Sequence, residues 1–352
     1  VIRRLTLLAG ILLIGVLGAA LVIYRNTRKE LPRIPLTASS SMNPVSSGAI
    51  SPDGKLLAYA DGAGTHVKRL ETAEVRTIEG SPAGWTVASW FPDSASFLVN
   101  QSHPADAPAM WVVQAAGGAP RKLLNDAFGW AVSPDGARVA FTRRDSAGGG
   151  DEIWLLSVKD GKQSRLFEPA EKCRFTRVQW SMDGGRIAYV KRDSGGQIGI
   201  ETRDLNGASP AVIVSDRKFR DYCWLPGGRM VYWVEEPDGP NCEFWRASIG
   251  TDGRRDGKPR YLTSWAGACM DAATVTTAGN KLAFRASSAQ ETIYVGNLDS
   301  AEMMLGAPVR LTVSDGDDRP MSWQPDGGAV IFQSTRTGHW EVFRQGLDGG
   351  AA

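Results

Sequence analysis

Apolar runs of three to five residues, each entered through a polar turn, recur along the chain from about residue 49 onward. The clearest copy is Ser133-Pro134-Asp135-Gly136 leading into Val139-Ala140-Phe141. It returns as Ser51-Pro52-Asp53-Gly54 before Leu56-Leu57-Ala58-Tyr59, as Phe91-Pro92-Asp93-Ser94 before Phe97-Leu98-Val99, and as Ser181-Met182-Asp183-Gly184 before Ile187-Ala188-Tyr189. Looser copies begin at Leu225, Thr277 and Gln324. Proline sets the first corner of a turn, Asp tolerates the second, and Gly supplies a positive φ, so each copy predicts a hairpin. A third apolar run follows in every unit, such as Ile153-Trp154-Leu155 or Phe244-Trp245, and a fourth closes six of them, as in Arg260-Tyr261-Leu262-Thr263.

Seven units at a pitch of roughly 40–50 residues, six of them with four short strands, predict an all-β seven-bladed β-propeller of four-stranded blades. The expected domain spans residues 49–352. The seventh unit stops at Asp348-Gly349-Gly350 before any fourth strand, while Ile34-Pro35-Leu36-Thr37, inside the Pro- and Ser-rich linker 31–48, reads like a spare one. One expectation is that residues 34–37 close the last blade and leave no open edge. The other is that the repeats continue past Ala352.

Leu5–Tyr24 carries no charge, and about 20 apolar residues in a helix cover the roughly 30 Å of bilayer hydrocarbon. Residues 1–30 therefore read as a transmembrane anchor with basic flanks. The rival reading is a cleaved signal peptide with Gly18-Ala19-Ala20 as its small-residue site, although the apolar run exceeds the usual length for one. The basic cluster after the helix, taken alone, places the downstream part in the cytoplasm. That vote counts only if Val1 is the true start.

Arg3, Arg4, Arg25, Arg28, Lys29 and Arg33 against Glu30 give the first 33 residues +5, so a chain of net charge +2 leaves −3 for everything after them. The propeller lacks the general basic surface that nucleic-acid binding requires. Twelve tryptophans are read mostly as packing. Trp90, Trp180, Trp224 and Trp323 precede the turns, and Trp111, Trp154 and Trp245 fall in third strands, where large aromatics wedge blades together. Trp130 and Trp265 break the pattern and are the candidates for a surface role.

Catalytic constellations are thin. His66, His103 and His339 have no metal-ligand spacing, no G-x-S-x-G elbow follows the repeats, and no phosphate loop or dinucleotide fingerprint occurs. Asp315, Asp317 and Asp318 read as a turn before Pro320 rather than a calcium site. No cofactor and no metal are expected. Cys173, Cys223, Cys242 and Cys269 show no C-x-x-C pairing; their even count is compatible with disulfides outside the cytoplasm, and buried free thiols are the default. The most suggestive polar feature is basic: Arg143-Arg144, Lys191-Arg192 and Arg336 occupy equivalent places after second strands. In a closed ring they would gather on one face, although Glu235-Glu236 and Arg285-Ala286 break the series in blades five and six; solvated loop charge is the plainer reading, and a site for a peptide or an anionic ligand is the sharper one.

The S-P-D-G turn with its apolar-Ala-aromatic strand, the Ile-Trp third strand and the closing Leu-Thr resemble TolB-like (WD40-like) propeller repeats over residues 34–348. More narrowly, Ile50-Ser51-Pro52-Asp53-Gly54-Lys55, Ser89-Trp90-Phe91-Pro92-Asp93, Ile200-Glu201-Thr202-Arg203-Asp204 and Trp340-Glu341-Val342-Phe343 behind an apolar helix look like the sensor region of acidobacterial membrane-anchored serine/threonine kinases or winged-helix regulators. That resemblance implies an extracytoplasmic propeller and an upstream kinase or DNA-binding module. The absence of the turn Asp at Gly227 and Ala278 favours a structural role for it. The functional expectation is a non-catalytic, membrane-anchored module that senses or binds a protein or peptide. The alternative is a propeller hydrolase or lyase working at the channel mouth, which two or more strongly perturbed titratable groups in the channel would favour.

Overall fold

The computed structural model describes residues 34–37, 43–101, 108–144, 150–167, 172–206, 209–236, 242–265, 269–287, 293–296, 298–299, 304–305, 309–314, 317–337, 340–348, 350 and 352. Leu5–Tyr24, His103, His339 and Asp315 lie outside them. Among the described residues no helix is long and apolar enough to cross a membrane. The chain divides into two compact units, residues 1–286 and 287–352.

The first unit is an all-β propeller. Four antiparallel strands form each of five blades, whose innermost strands are Ser47–Ile50, Trp85–Trp90, Phe128–Val132, Cys173–Trp180 and Phe219–Leu225. A sixth sheet pairs Cys269–Val275 with Leu282–Ser287. Alternation along the strands buries residues between adjacent sheets, and the core is accordingly divided into one apolar cluster per blade interface. Val99 and Ala49 belong to the interface of blades one and two, Phe141 and Leu98 to that of two and three, Ile153 and Tyr189 to three and four, and Tyr222 and Ile200 to four and five. Trp233 and Met270 join blades five and six, and Ile50, Leu57 and Ala283 join six to one.

That last interface corrects the count of seven blades around one axis. Ile50 N–H donates to Thr274 Oγ1 at 3.0 Å and Thr277 N–H donates to Pro52 O at 3.0 Å, so the inner strands of the first unit close at six. Repeats in a sequence count copies of a sheet; how many meet around an axis is set by the packing angle at each interface. The seventh copy forms a three-stranded sheet, Asp318–Trp323, Ala329–Ser334 and Glu341–Gly346, in the second unit. Its Trp323 is 53% exposed, whereas the matching Trp90, Trp180 and Trp224 are buried, so the packing role read for Trp323 does not hold. The strand expected at Ile34–Thr37 does not form, and no fourth strand pairs with Glu341–Gly346 among the described residues. Leu36 packs on the first blade, where its carbonyl accepts a hydrogen bond from Lys68 Nζ at 2.7 Å.

Inner strands of neighbouring blades splay too far apart to pair as a sheet, and side chains stitch them instead. Ser47 Oγ accepts from Val87 N–H, and Gln179 both accepts from Trp224 N–H and donates to Tyr222 O. The indole N–H groups of Trp90, Trp180 and Trp233 donate to Ala49, Ala131 and Met270 carbonyls. Each tryptophan thus fills a wedge and satisfies a backbone group across it.

The repeated turn has an inter-blade role as well. Gly136 (φ +72°) and Gly279 (φ +69°) lie against Pro92 and Pro226 of the preceding turn, so close that a Cβ would sit 3.1 and 2.8 Å from proline ring carbons. Only glycine fits both the backbone angle and the contact. Within each turn the Asp is structural. Asp135 accepts from Ser133 Oγ–H and Ala137 N–H, and Asp183 accepts from Ser181 Oγ–H and Gly185 N–H. The serine hydroxyls hold both carboxyls below the usual aspartate value of 3.8. A depressed carboxyl contributes stability that is complete above its unfolded pKa and is lost as pH falls through the folded value. The stability difference between the protein and its Ser133→Ala/Ser181→Ala variant should therefore be constant near neutrality and shrink below about pH 4 in urea melts across pH.

Candidate functional site: the axial cavity

On the axis of the first unit lies a cavity of about 480 Å³, lined by all six inner strands. Pro52, Pro92, Pro134, Met182 and Thr277, the corners of five turns, ring one end. The walls are shaped by β-bulges, which bend a strand and re-aim the residues that are left without a partner. Register shifts next to Ala88, Trp130 and the pair Arg177-Val178 extrude those side chains, and all four line the cavity. Arg177 adopts a left-handed φ of 53°, a conformation uncommon outside glycine.

Most polar groups on the wall already bond to the fold. Thr274 accepts from Ile50 N–H, Ser89 from Val132 N–H, and Asn100 makes two hydrogen bonds to the Gly129 backbone. Phe128 and Trp130 contribute an aromatic surface, their ring centroids 4.7 Å apart. Among the described residues, the only charged side chain on the wall is that of Arg177.

Arg177 clasps three blades. From blade four its Nε–H donates to Asp221 Oδ1 of blade five at 2.7 Å, and its Nη2–H donates to Ala273 O of blade six at 3.2 Å. Tyr222 returns a hydrogen bond from its hydroxyl to Arg177 O at 2.6 Å, and Tyr222 N–H donates to Asp221 Oδ1. Asp221 is 1% exposed. Burial pushes its carboxyl up, against the pull of the guanidinium, and burial likewise works to lower Arg177, which the carboxylate outweighs. Burial also raises Tyr222 well above its ordinary value and pushes the Cys223 thiol up to about 12. Cys223 is on the cavity wall.

Of the residues expected to form a site, the structure brings Trp130 to the cavity, with its indole N–H bonded to Thr142 Oγ1 at 2.9 Å. The basic residues stay with their own sheets and none lines it. Arg143 donates to Asp126 O and Gln163 Oε1 and lies over Trp154, and Lys191 is 3.9 Å from Glu201. Arg144 and Arg192 are exposed. In the second unit, Arg336 donates to Asp318 Oδ1 and lies over Phe332 and Phe343. Trp265 ends a strand opposite Cys242; its side chain lies outside the described residues. The free-thiol default is corrected for one pair. Cys242 and Cys269 form a disulfide, and Cys173 and Cys223 are buried thiols outside it. Sequence reasoning passed over Arg177 and Asp221. The available signal was an acid inside the otherwise aromatic run Phe219-Arg220-Asp221-Tyr222-Cys223-Trp224.

Residues 34–258, which run from ahead of the first blade into the last strand of the fifth, match the family model of the PD40 TolB β-propeller domain. The chain belongs to the TolB β-propeller (PD40) family. Among solved structures, TolB of Acinetobacter baumannii is 24% identical with a TM-score of 0.50, over 64% of this chain and 58% of that one. A structure described as TolB of Agrobacterium tumefaciens is 18% identical with a TM-score of 0.50, over 62% of this chain and 80% of that one. Hydrazine synthase of Kuenenia stuttgartiensis, at 14% identity and a TM-score of 0.51, aligns with 89% of this PD40 chain and 99% of its own. At such identities the likeness is one of fold. A comparison with curated proteins found no significant match.

Proposed function

We propose that this PD40 propeller is a non-catalytic binding module that takes a peptide or small ligand in its axial cavity, held outside the cytoplasmic membrane by residues 5–24 as the sensing part of a signalling protein. The observation that carries the binding reading is the cavity wall. Its polar side chains are largely engaged with the backbone, and its one charge is clasped by a partner, which suits holding a ligand better than transforming one. The uncharged run Leu5–Tyr24 supports the anchor. The Cys242–Cys269 disulfide supports an oxidising compartment.

The catalytic alternative has an observation behind it, since perturbed groups do cluster at the cavity. Their directions weigh against it. A thiol pushed to about 12 is no nucleophile near neutrality, a tyrosine raised well above its normal range keeps its proton, and Asp221 is bound to Arg177. Thermal unfolding of the full chain with a panel of peptides, small acids and amides tests the reading. Ligands that raise the midpoint of the wild type, but not of an Ala88→Trp variant with a filled cavity, are expected. Mass spectrometry showing any of them converted to product would overturn the non-catalytic reading. Resistance of the full chain to alkaline carbonate extraction is the expected result for the anchor.

A further inference from the structure

We propose that the axial cavity selects a ligand carrying a carboxylate on an apolar body, with Arg177 as its recognition group. The inference rests on the binding reading above and names the chemistry of that site. A guanidinium has five N–H donors in a fixed fork. Asp221 takes the Nε edge and Ala273 O takes one hydrogen of Nη2, so three donors remain without an acceptor. The side chain keeps 26% of its surface exposed, and it lines the cavity.

The same wall holds a second unsatisfied group. Thr86 lines the cavity, and its Oγ1, enclosed within the wall, has no hydrogen-bond partner. Its hydroxyl can donate, as Arg177 does. The wall therefore offers a cationic fork and a hydroxyl, both lacking an acceptor, in a cavity whose remaining polar side chains are largely bonded to the backbone. A carboxylate answers that arrangement, because it accepts from an arginine fork through two parallel bonds.

Asp221 acts as a positioning residue. Sitting behind the guanidinium with its Oδ1 also bonded to Tyr222 N–H, it fixes the Nε edge and leaves the Nη edge for the ligand. Phe128, Trp130 and Ala88 supply the apolar contact. The volume of about 480 Å³ falls within the range of small-molecule sites. The carboxylate could belong to a free acid or to the C-terminus of a peptide, and the chemistry is the same.

Isothermal titration of the full chain with N-acetyl-phenylalanine and with its primary amide decides the matter. The acid should bind at least about tenfold more tightly than the amide, since a charge-assisted pair is about twice as strong as a neutral hydrogen bond. Thr86→Val, which keeps shape and removes one donor, should weaken the acid about three- to tenfold and leave the unfolding midpoint nearly unchanged. Comparing Gly-Gly-Phe acid with Gly-Gly-Phe amide distinguishes the sources. A tripeptide acid tighter than N-acetyl-phenylalanine identifies a peptide terminus, and the reverse order identifies a free acid. Equal binding of acid and amide overturns the carboxylate inference while leaving the cavity as a binding site. Preference for the acid that persists undiminished in Ala88→Trp places the site elsewhere and overturns the inference together with the cavity reading. No binding of the acid at millimolar concentration overturns the inference alone.

Discussion

Replacing Asp221 by alanine should lower the unfolding free energy by about 3–5 kcal/mol, read as a fall in the urea midpoint at unchanged slope. The size follows from what is left behind. Arg177 would keep its position against blades five and six with its Nε–H facing an emptied space, and Tyr222 N–H would lose its acceptor. An isolated buried charge costs far more than the net worth of the pair that neutralised it. The double variant Arg177→Met/Asp221→Leu removes both charges and should recover most of the loss. Asp221→Asn should fall between, because its amide oxygen can still accept from Tyr222 N–H. A double variant no more stable than Asp221→Ala would show that the clasp's value lies in its hydrogen-bond geometry rather than in charge compensation.

This clasp also marks the limit of what the sequence discloses. Within a blade everything is local: alternating apolar positions, the turn chemistry of Ser133-Pro134-Asp135-Gly136 and hairpins of a few residues, so the five complete blades fall where the repeat places them. Between blades the determinants are long-range. Arg177 reaches Asp221 across 44 residues and Ala273 across 96. No spacing rule links them, and each side chain looks like an ordinary strand residue. The six-strand closure is hidden for the same reason, because it depends on Thr274 and Thr277 meeting Ile50 and Pro52 at opposite ends of the first unit.

The basic residues after the second strands show how little sequence position alone decides. Arg143, Lys191 and Arg336 do occupy equivalent sequence positions, but position does not fix what a long side chain does. Each finds an acceptor, a carboxylate or an aromatic ring in its own sheet. Trp130 breaks the repeat by one place. The structure supplies the cause, a bulge that turns it toward the cavity.

Reduction of Cys242–Cys269 should produce the second large effect. The cysteines are 27 residues apart in sequence and join the third strand of blade five to the inner strand of blade six, their Cα atoms 5.3 Å apart. Closing a loop of that length constrains the unfolded chain by about 3.5 kcal/mol in the chain-entropy model, an upper figure for this bridge. The bridge also lies in the cluster of Trp233, Phe244 and Met270, which forms the interface carrying the last inner strand before closure. A reductant is therefore expected to lower the thermal midpoint by several degrees, and to do nothing to a Cys242→Ala/Cys269→Ala variant. Cys223 belongs to the same cluster, yet disulfide exchange through it is disfavoured, since attack requires a thiolate and burial pushes this thiol up to about 12. Native protein should accordingly leave Cys173 and Cys223 unlabelled by maleimide and release both only on unfolding. The same labelling, applied to cells quenched in acid, reads the oxidation state of the bridge where the protein resides. A fully reduced Cys242–Cys269 pair there would contradict an extracytoplasmic propeller directly, independently of any ligand.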